Sequence, residues 1–247
     1  LVFFKALASL GVGAATIDTK LEGTQFFPGD TVNGEVFIRG GQAEQQVDEI
    51  YLYLVVDISK NDKKTAHVLK SYHLSTSFLI EANGSHSVPF KIKLPLETPM
   101  SSGAFPVYLK TGLDIKMAID PSDTDRIEVL PTPYVQKVLQ QFEDAGFVLY
   151  QIHNEFDDQC DPPFFQMLKY KPTGSYHGFV DEMIIYINHN GNEVNMDVEM
   201  NRSARFLRSN FHWSIDDPEG TLHVNDEHIY QDPVDKIQDM LNRKTLS

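Results

Sequence analysis

Three arginines, Arg202, Arg205 and Arg208, stand three residues apart in NRSARFLRS. On a helix that spacing lines one face, and guanidinium groups on one face can grip carboxylates or phosphates through paired hydrogen bonds. The functional reading is a docking site for an acidic partner or a phosphate. The plainer reading, and the one favoured, is an exposed helix or loop neutralised by acids of its own half, such as Asp216 and Asp217. Other reactive groups give less. Cys160, in QCDPPFF, is the single cysteine. It cannot form an intramolecular disulfide, and a lone thiol at the start of a loop is more often inert than nucleophilic. DPSDTD at 120–125 has the acidic look of a calcium loop. It lacks the loop glycine, and Arg126 follows it, so it reads as an acidic turn between strands. The nine histidines offer no zinc set. His223 and His228 are five apart, and His67, His73 and His212 have no ligand at a useful spacing. No phosphate-binding glycine loop, dinucleotide motif or nucleophile elbow is present.

With no chemistry declared by motif, composition narrows the classes. The chain has 247 residues, 41% of them hydrophobic, and a net charge of −14. That is enough apolar surface for a folded core, and too negative for general affinity to nucleic acid or anionic membrane. The acidity is uneven: residues 1–131 carry 12 basic and 16 acidic side chains, and the rest of the chain holds most of the excess. LVFFKALASLGVGAA at the start has some look of a signal segment, but Lys5 interrupts it and no basic region precedes it. The preferred reading is a docked helix or first strand, with Phe4, Leu7, Ala8 and Gly11 sharing one helical face. No run is long enough to span a membrane.

The elements that must position any site follow from periodicity. In VNGEVFIR, Val32, Val36 and Ile38 point one way, with Phe37 exceptional on the polar side. DEIYLYLVVD is apolar on both faces and reads as a central strand. Its Tyr51 and Tyr53, with Phe37, are expected to belong to an internal core rather than to a docking surface. SVPFKIKLPL buries Val88, Phe90, Ile92 and Leu94, while Pro89, Lys91 and Lys93 mark it as an edge strand. Pro28-Gly29-Asp30 and Gly40-Gly41 bracket the strand that begins near Val32, and Asn61-Asp62, Asn83-Gly84 and Ser102-Gly103 are further turn signals. The period then changes. After Pro131 and Pro133, Val135, Val138, Leu139 and Phe142 form a helix face that Gly146 can end. GFVLYQIHNEF and PFFQMLKYKP read as strands, a hairpin is expected around Asn190-Gly191, and Asp232-Pro233 begins a last helix with Val234, Ile237 and Leu241 on one face.

The ordered series FFKALASLGVGAATIDTKL, PGDTVNGEVFIRGG, VDEIYL, VPFKIKLPLETP, GLDIKMAIDPSDTD, LPTPYVQKVL and DAGF resembles the stage-zero sporulation-control protein M family. The resemblance continues more loosely through PFFQMLKYKP, GFVDEMIIYI and VEMNRSARFL. PGDTVNGEV by itself looks like the N-terminal sandwich of arrestins. RSARFLRSNFHW departs from the glycine-richer form of the family. The resemblance implies an arrestin-like sandwich, a smaller second domain, and a cytoplasmic, non-enzymatic bacterial regulator of the onset of sporulation or of cell division, with no catalytic residues to carry over.

The expectations are therefore these. The fold is mainly β: an arrestin-like β-sandwich over residues 1–131, then a smaller α+β domain over 132–247. The protein is a non-catalytic regulatory scaffold with no cofactor or metal. It binds other proteins, a second copy of itself among the options, but not nucleic acid, and it does not insert stably in membranes. The rival reading is a carbohydrate-binding module or hydrolase built on the same sandwich, which requires a deep pocket with converging polar groups.

Overall fold

The turn before the first long strand shows how this sequence sets its geometry. The Phe27 N–H donates to Asp30 Oδ2 at 2.8 Å, and the Asp30 N–H returns to the Phe27 carbonyl at 3.0 Å. Gly29 sits between them at φ 83°, in the left-handed region that glycine enters without penalty. The structure, a computed structural model, describes residues 14–116, 120–178, 180–190, 193–202, 205–214 and 223–224. The helices expected around Phe4 to Gly11 and from Asp232 onward lie outside the described residues, as do His228, Asp216 and Asp217.

The described chain is mainly β. Two compact units divide it: Leu1–Asp57 with Ala66–Leu130, and Ile58–Thr65 with Pro131–Ser247. In the first unit, β1 (Thr16–Leu21), β3 (Thr31–Arg39) and β7 (Ser85–Lys93) form an antiparallel sheet with β3 in the centre. A second sheet contains β2 (Gln25–Phe26), β4 (Gln45–Lys60), β8 (Val107–Ile115) and β9 (Ser122–Val129), in the order β4-β8-β9-β2. Val47 pairs with Ile115 of β8 on one edge of β4 and with Phe78 of β6 (Phe78–Ile80) on the other. β5 (Lys63–Ser75) also pairs with β4. Since β8 occupies residues 47 to 56 on one edge, β5 takes the edge it shares with β6. Asn61 and Asp62, at φ 53° and 61°, make the two-residue turn from β4 to β5, a conformation these residue types tolerate.

Alternation places the core as the sequence predicts. Val32, Val36, Ile38, Phe90 and Ile92 of the first sheet are buried, as are Ile50, Leu52, Leu54, Leu109, Leu113 and Ile127 of the second. Tyr51 and Tyr53 differ from expectation. They are half-buried, with ring centroids 4.7 Å apart, on the face of β4 opposite the core side chains. Tyr51 fills the space that the missing side chain of Gly112 leaves. Phe37 is likewise half-buried on the outer face, under the Lys20 ammonium at 4.8 Å. The acidic turn expected over 120–125 is shorter than predicted. Only Asp120 and Pro121 precede the strand, and residues 122–125 already pair with β8.

The second unit opens with α1 (Pro133–Asp144). Thr132 caps it through Oγ1, Pro133 occupies the first turn, and Val135, Val138, Leu139 and Phe142 are buried. Gly146 follows the C-cap at φ 97°. An antiparallel series succeeds it: β10 (Phe147–Phe156), β11 (Phe164–Pro172), β12 (Glu182–Asn190), β13 (Glu193–Arg202), β14 (Arg205–Ser214) and β15 (His223–Val224). Ser59, at the far end of β4, pairs with Glu155 of β10 inside this unit. The β12–β13 register pairs Asn190 with Glu193, one residue later than a turn centred on Asn190-Gly191. Within the sheet Gln166 Nε2 donates to Asn154 Oδ1 at 2.9 Å, so two buried amides share a hydrogen bond.

Gly40 ends β3 for a different reason from Gly29. A Cβ there would lie 2.3 Å from the Glu81 carbonyl oxygen, while the Gly40 N–H donates to the Gly84 carbonyl at 2.8 Å. Gly40→Ala should therefore cost about 1–3 kcal/mol in a urea or thermal melt, by overpacking against fixed backbone. Gly103→Ala, which meets nothing within 4 Å, should leave the midpoint unchanged. Equal effects in the two variants would contradict this account.

Candidate interaction surface

Among the described residues, those singled out from sequence do not assemble into a reactive centre. Arg202 ends β13, and Arg205 and Arg208 lie on β14, so the expected helix or loop is a strand hairpin. The register pairs Arg202 with Arg205 and Glu199 with Arg208. Three-residue spacing unites a helix face, but strand positions that share a face are two apart. Pairing with β13 along its length overrides the local pattern. Cys160 is half-buried, and burial followed by the neighbouring Asp157 carboxylate raises its thiol pKa, which opposes nucleophilic use. His73 contacts Glu49 at 3.1 Å on exposed surface, and burial lowers the pKa of His67. His212 and His223, eleven positions apart in sequence, are brought into register by β14 and β15. Among the described residues no group of three or more His, Cys, Asp or Glu is placed to hold a metal ion.

A depression of about 440 Å³ lies on the outer face of the β1-β3-β7 sheet, lined by Thr16, Asp18, Phe37, Arg39, His86 and Ser87 among others. Asp18, Arg39, His86 and Ser87 are exposed. This is an open surface rather than an enclosed pocket with converging polar groups. In the second unit, exposed Val148 and Tyr150 adjoin a bulge in β10. The Tyr150 hydroxyl bonds Glu182, and the Lys171 ammonium lies 3.5 Å from Glu182 and 5.5 Å from the Tyr150 ring. That patch is occupied by its own ion pair.

What the first unit does offer is strand edges, and they are unequally protected. On β1 the outward Thr19 N–H is taken by Asp123 Oδ2 at 2.8 Å. On β7 the Leu94 N–H donates to Asp30 across to β3 at 2.9 Å, so by alternation residues 89, 91 and 93 turn their backbone groups outward. Pro89 has no N–H to present there, and the Lys93 carbonyl accepts from the Tyr72 hydroxyl at 2.6 Å. Burial raises the Tyr72 phenol pKa to about 12, so it stays a donor at any ordinary pH. β2 is two residues long. β5 is the exception. It runs thirteen residues without one fully buried side chain, it is bonded among the described strands to β4 alone, and Val68 is 48% exposed. Within the first unit β5 is the long edge strand that contributes least to the core.

Tyr72 also fixes what surrounds this edge, because its bond to Lys93 ties β5 to β7. Lys70 of β5 and Lys91 and Lys93 of β7 are exposed, and none of the three forms an ion pair among the described residues. Sequence alone identified β7 as an edge but did not single out β5. Its only local signals are the Asn61-Asp62 turn and a weak alternation in HVLKSYHL.

Comparison with known proteins fits this geometry. Residues 3–204 match the family described as SpoOM protein. The chain belongs to that family. It is 35% identical over 254 aligned positions to the sporulation-control protein spo0M of Bacillus subtilis (strain 168), covering 97% of this chain and 96% of that protein. The crystal structure of Spo0M, sporulation control protein, from Bacillus subtilis superposes with a TM-score of 0.73 at 26% identity, over 95% of this chain and 98% of that one. Among the described residues no helix is long and apolar enough to cross a membrane.

The plug on β1 carries an electrostatic cost. Asp125 has a buried Oδ2 with no hydrogen-bond partner among the described residues. Burial first, then the Asp123 and Asp18 carboxylates, push its pKa up to about 6. A carboxyl with an unfolded value of about 4 and a raised folded value favours the folded state when protonated. Its contribution is present at low pH and is lost as pH rises through about 4 to 6. Asp125→Asn should therefore gain stability over the parent across that interval and keep the gain to pH 8. Melting both proteins from pH 4 to 8 tests this, and a constant difference would refute it.

Proposed function

We propose that this SpoOM-family chain is a non-catalytic regulatory scaffold in sporulation control, working in the cytoplasm through protein–protein contacts. In this reading residues 1–131 form an arrestin-like docking domain and residues 132–247 a second domain. The observation that carries it is the unequal character of the sandwich edges: side chains or a proline stand at β1 and β7, while β5 runs thirteen residues without one fully buried side chain and is bonded, among the described strands, to β4 alone. Exposed strand edges bind extended partners through main-chain hydrogen bonds. The sporulation-control name of the Bacillus relative supplies the physiological context. The β13–β14 hairpin end, where the register sets Arg202 beside Arg205 with Arg208 further along, is proposed as a secondary contact for acidic groups.

The test uses the full chain immobilised and exposed to extract from its own cells. Ser71→Pro, at an exposed position of β5, removes a backbone donor and narrows the strand's conformations. If the melt shows the variant folded, it should lose proteins that the parent retains. In the same host the variant should reproduce the sporulation or division defect of a deletion. Should Ser71→Pro prove unfolded, Val68→Asp serves the same purpose without touching the backbone. Retention of identical proteins by parent and folded variant would reject the β5 edge as the docking surface.

A further inference from the structure

We infer that the seam between β1 and β9 holds a hard divalent cation of the calcium class, with Asp123 and Asp125 as its carboxylate ligands and Thr19 and Thr111 as its hydroxyl ligands. This goes beyond the docking reading and does not depend on it. The first ground is placement. Thr111 stands directly opposite Asp123 in the β8–β9 register, and Asp125 lies two positions along the same strand, so all three project from one face of the sheet. It is the core face, because Leu109, opposite Asp125, is fully buried on it. β1 meets the same spot from the other sheet, where the Thr19 N–H donates to Asp123 Oδ2 at 2.8 Å.

The second ground is what these groups lack. Thr19 is 5% exposed and Thr111 0%, yet neither hydroxyl has a hydrogen-bond partner among the described residues, and neither has the buried Asp125 Oδ2. Orphan oxygens so enclosed are rare in folded proteins, and three of them around Asp123 point to one shared ligand. Water satisfies a hydroxyl but leaves charge uncompensated. The Asp123 and Asp18 carboxylates both act electrostatically on Asp125, and none of the three has an ion-pair partner among the described residues. Asp123 accepts N–H bonds from Thr19 and Thr124, which leaves each of its oxygens a second lone pair. Carboxylate and hydroxyl oxygens suit calcium, which tolerates irregular geometry and completes its shell with water; magnesium demands a stricter octahedron, and structural zinc prefers nitrogen and sulfur. Only two of the four ligands are acidic, so the site differs in kind from the clusters of three or more acidic, imidazole or thiol groups that the described residues lack. DPSDTD is then no calcium loop; strand pairing is what sets Asp123 and Asp125 on one face.

The full chain, stripped with chelator and returned to metal-free buffer at neutral pH, tests this. Calcium chloride should raise its melting midpoint, and calorimetry should show one site. Magnesium chloride at the same concentration should do less. Asp125→Asn should lose the calcium shift, and Thr111→Val, which removes one oxygen and keeps the outline of the side chain, should weaken binding by about tenfold. Asp48→Asn, at an exposed position of β4, should keep both shift and affinity. A parent unmoved by calcium would overturn the proposal and leave water as the partner of the three oxygens. A calcium effect that Asp125→Asn or Thr111→Val keeps in full would also overturn it, because the ion would then sit elsewhere on the acidic surface. So would an equal shift from sodium chloride at matched ionic strength, which makes the effect one of screening.

Discussion

An open β-sandwich has to dispose of the backbone groups along its outer strands. Every outward N–H or C=O that water does not reach needs a partner, and every one that water does reach is a template for another strand. In the first unit this constraint is met by side chains from remote parts of the chain. Asp123 reaches the Thr19 N–H across 104 residues, and Tyr72 reaches the Lys93 carbonyl across 21. The cost of the first contact is visible beside it. Asp123 and Asp18 crowd Asp125, whose carboxyl is held partly out of water. A less acidic neighbourhood would be more stable there, but it would leave the β1 edge without its acceptor.

The same constraint separates what is structural from what is available. The depression over Phe37 and Arg39 is open to solvent, and the aromatic patch at Tyr150 is already held by Glu182 and Lys171. Neither resembles a reaction chamber. β5 contributes breadth rather than core: Ile50, Leu52 and Leu54 of its partner strand are fully buried, while β5 alternates between half-buried and exposed. A strand of that kind adds breadth to a sheet while burying little of its own surface. The chain belongs to the SpoOM family, and the crystal structure of a sporulation-control protein superposes on it.

The regularities that survive from sequence to structure are local. Gly29 in the left-handed region, Asp30 closing its own turn, the alternation through β3 and β7, and α1 between Thr132 and Gly146 all follow from residues within a few positions of one another. Pro89, Lys91 and Lys93 likewise announce an edge, because a missing donor and exposed cations have one meaning wherever the strand lies. The misreadings share a cause. NRSARFLRS has a helix-like arginine spacing, yet β13 pairs with it residue by residue. DPSDTD has turn-forming residues, yet β8 pairs with its last four positions. Tyr51 looked like a core residue and instead covers Gly112 from the outer face.

Sequence by itself determined the β character, the family and the positions of most turns. Hydrophobic period and turn chemistry act over a handful of residues and need no knowledge of what lies opposite. Only the tertiary structure decided which edges are closed. Closure depends on Asp123 meeting Thr19 and on Tyr72 meeting Lys93, and a donor and acceptor so far apart along the chain become partners only when the sheets have packed. It also decided that Ile58 to Thr65 clusters with the second unit rather than with the strands that flank it. Such pairings are set by global packing, which no local pattern of residue types encodes.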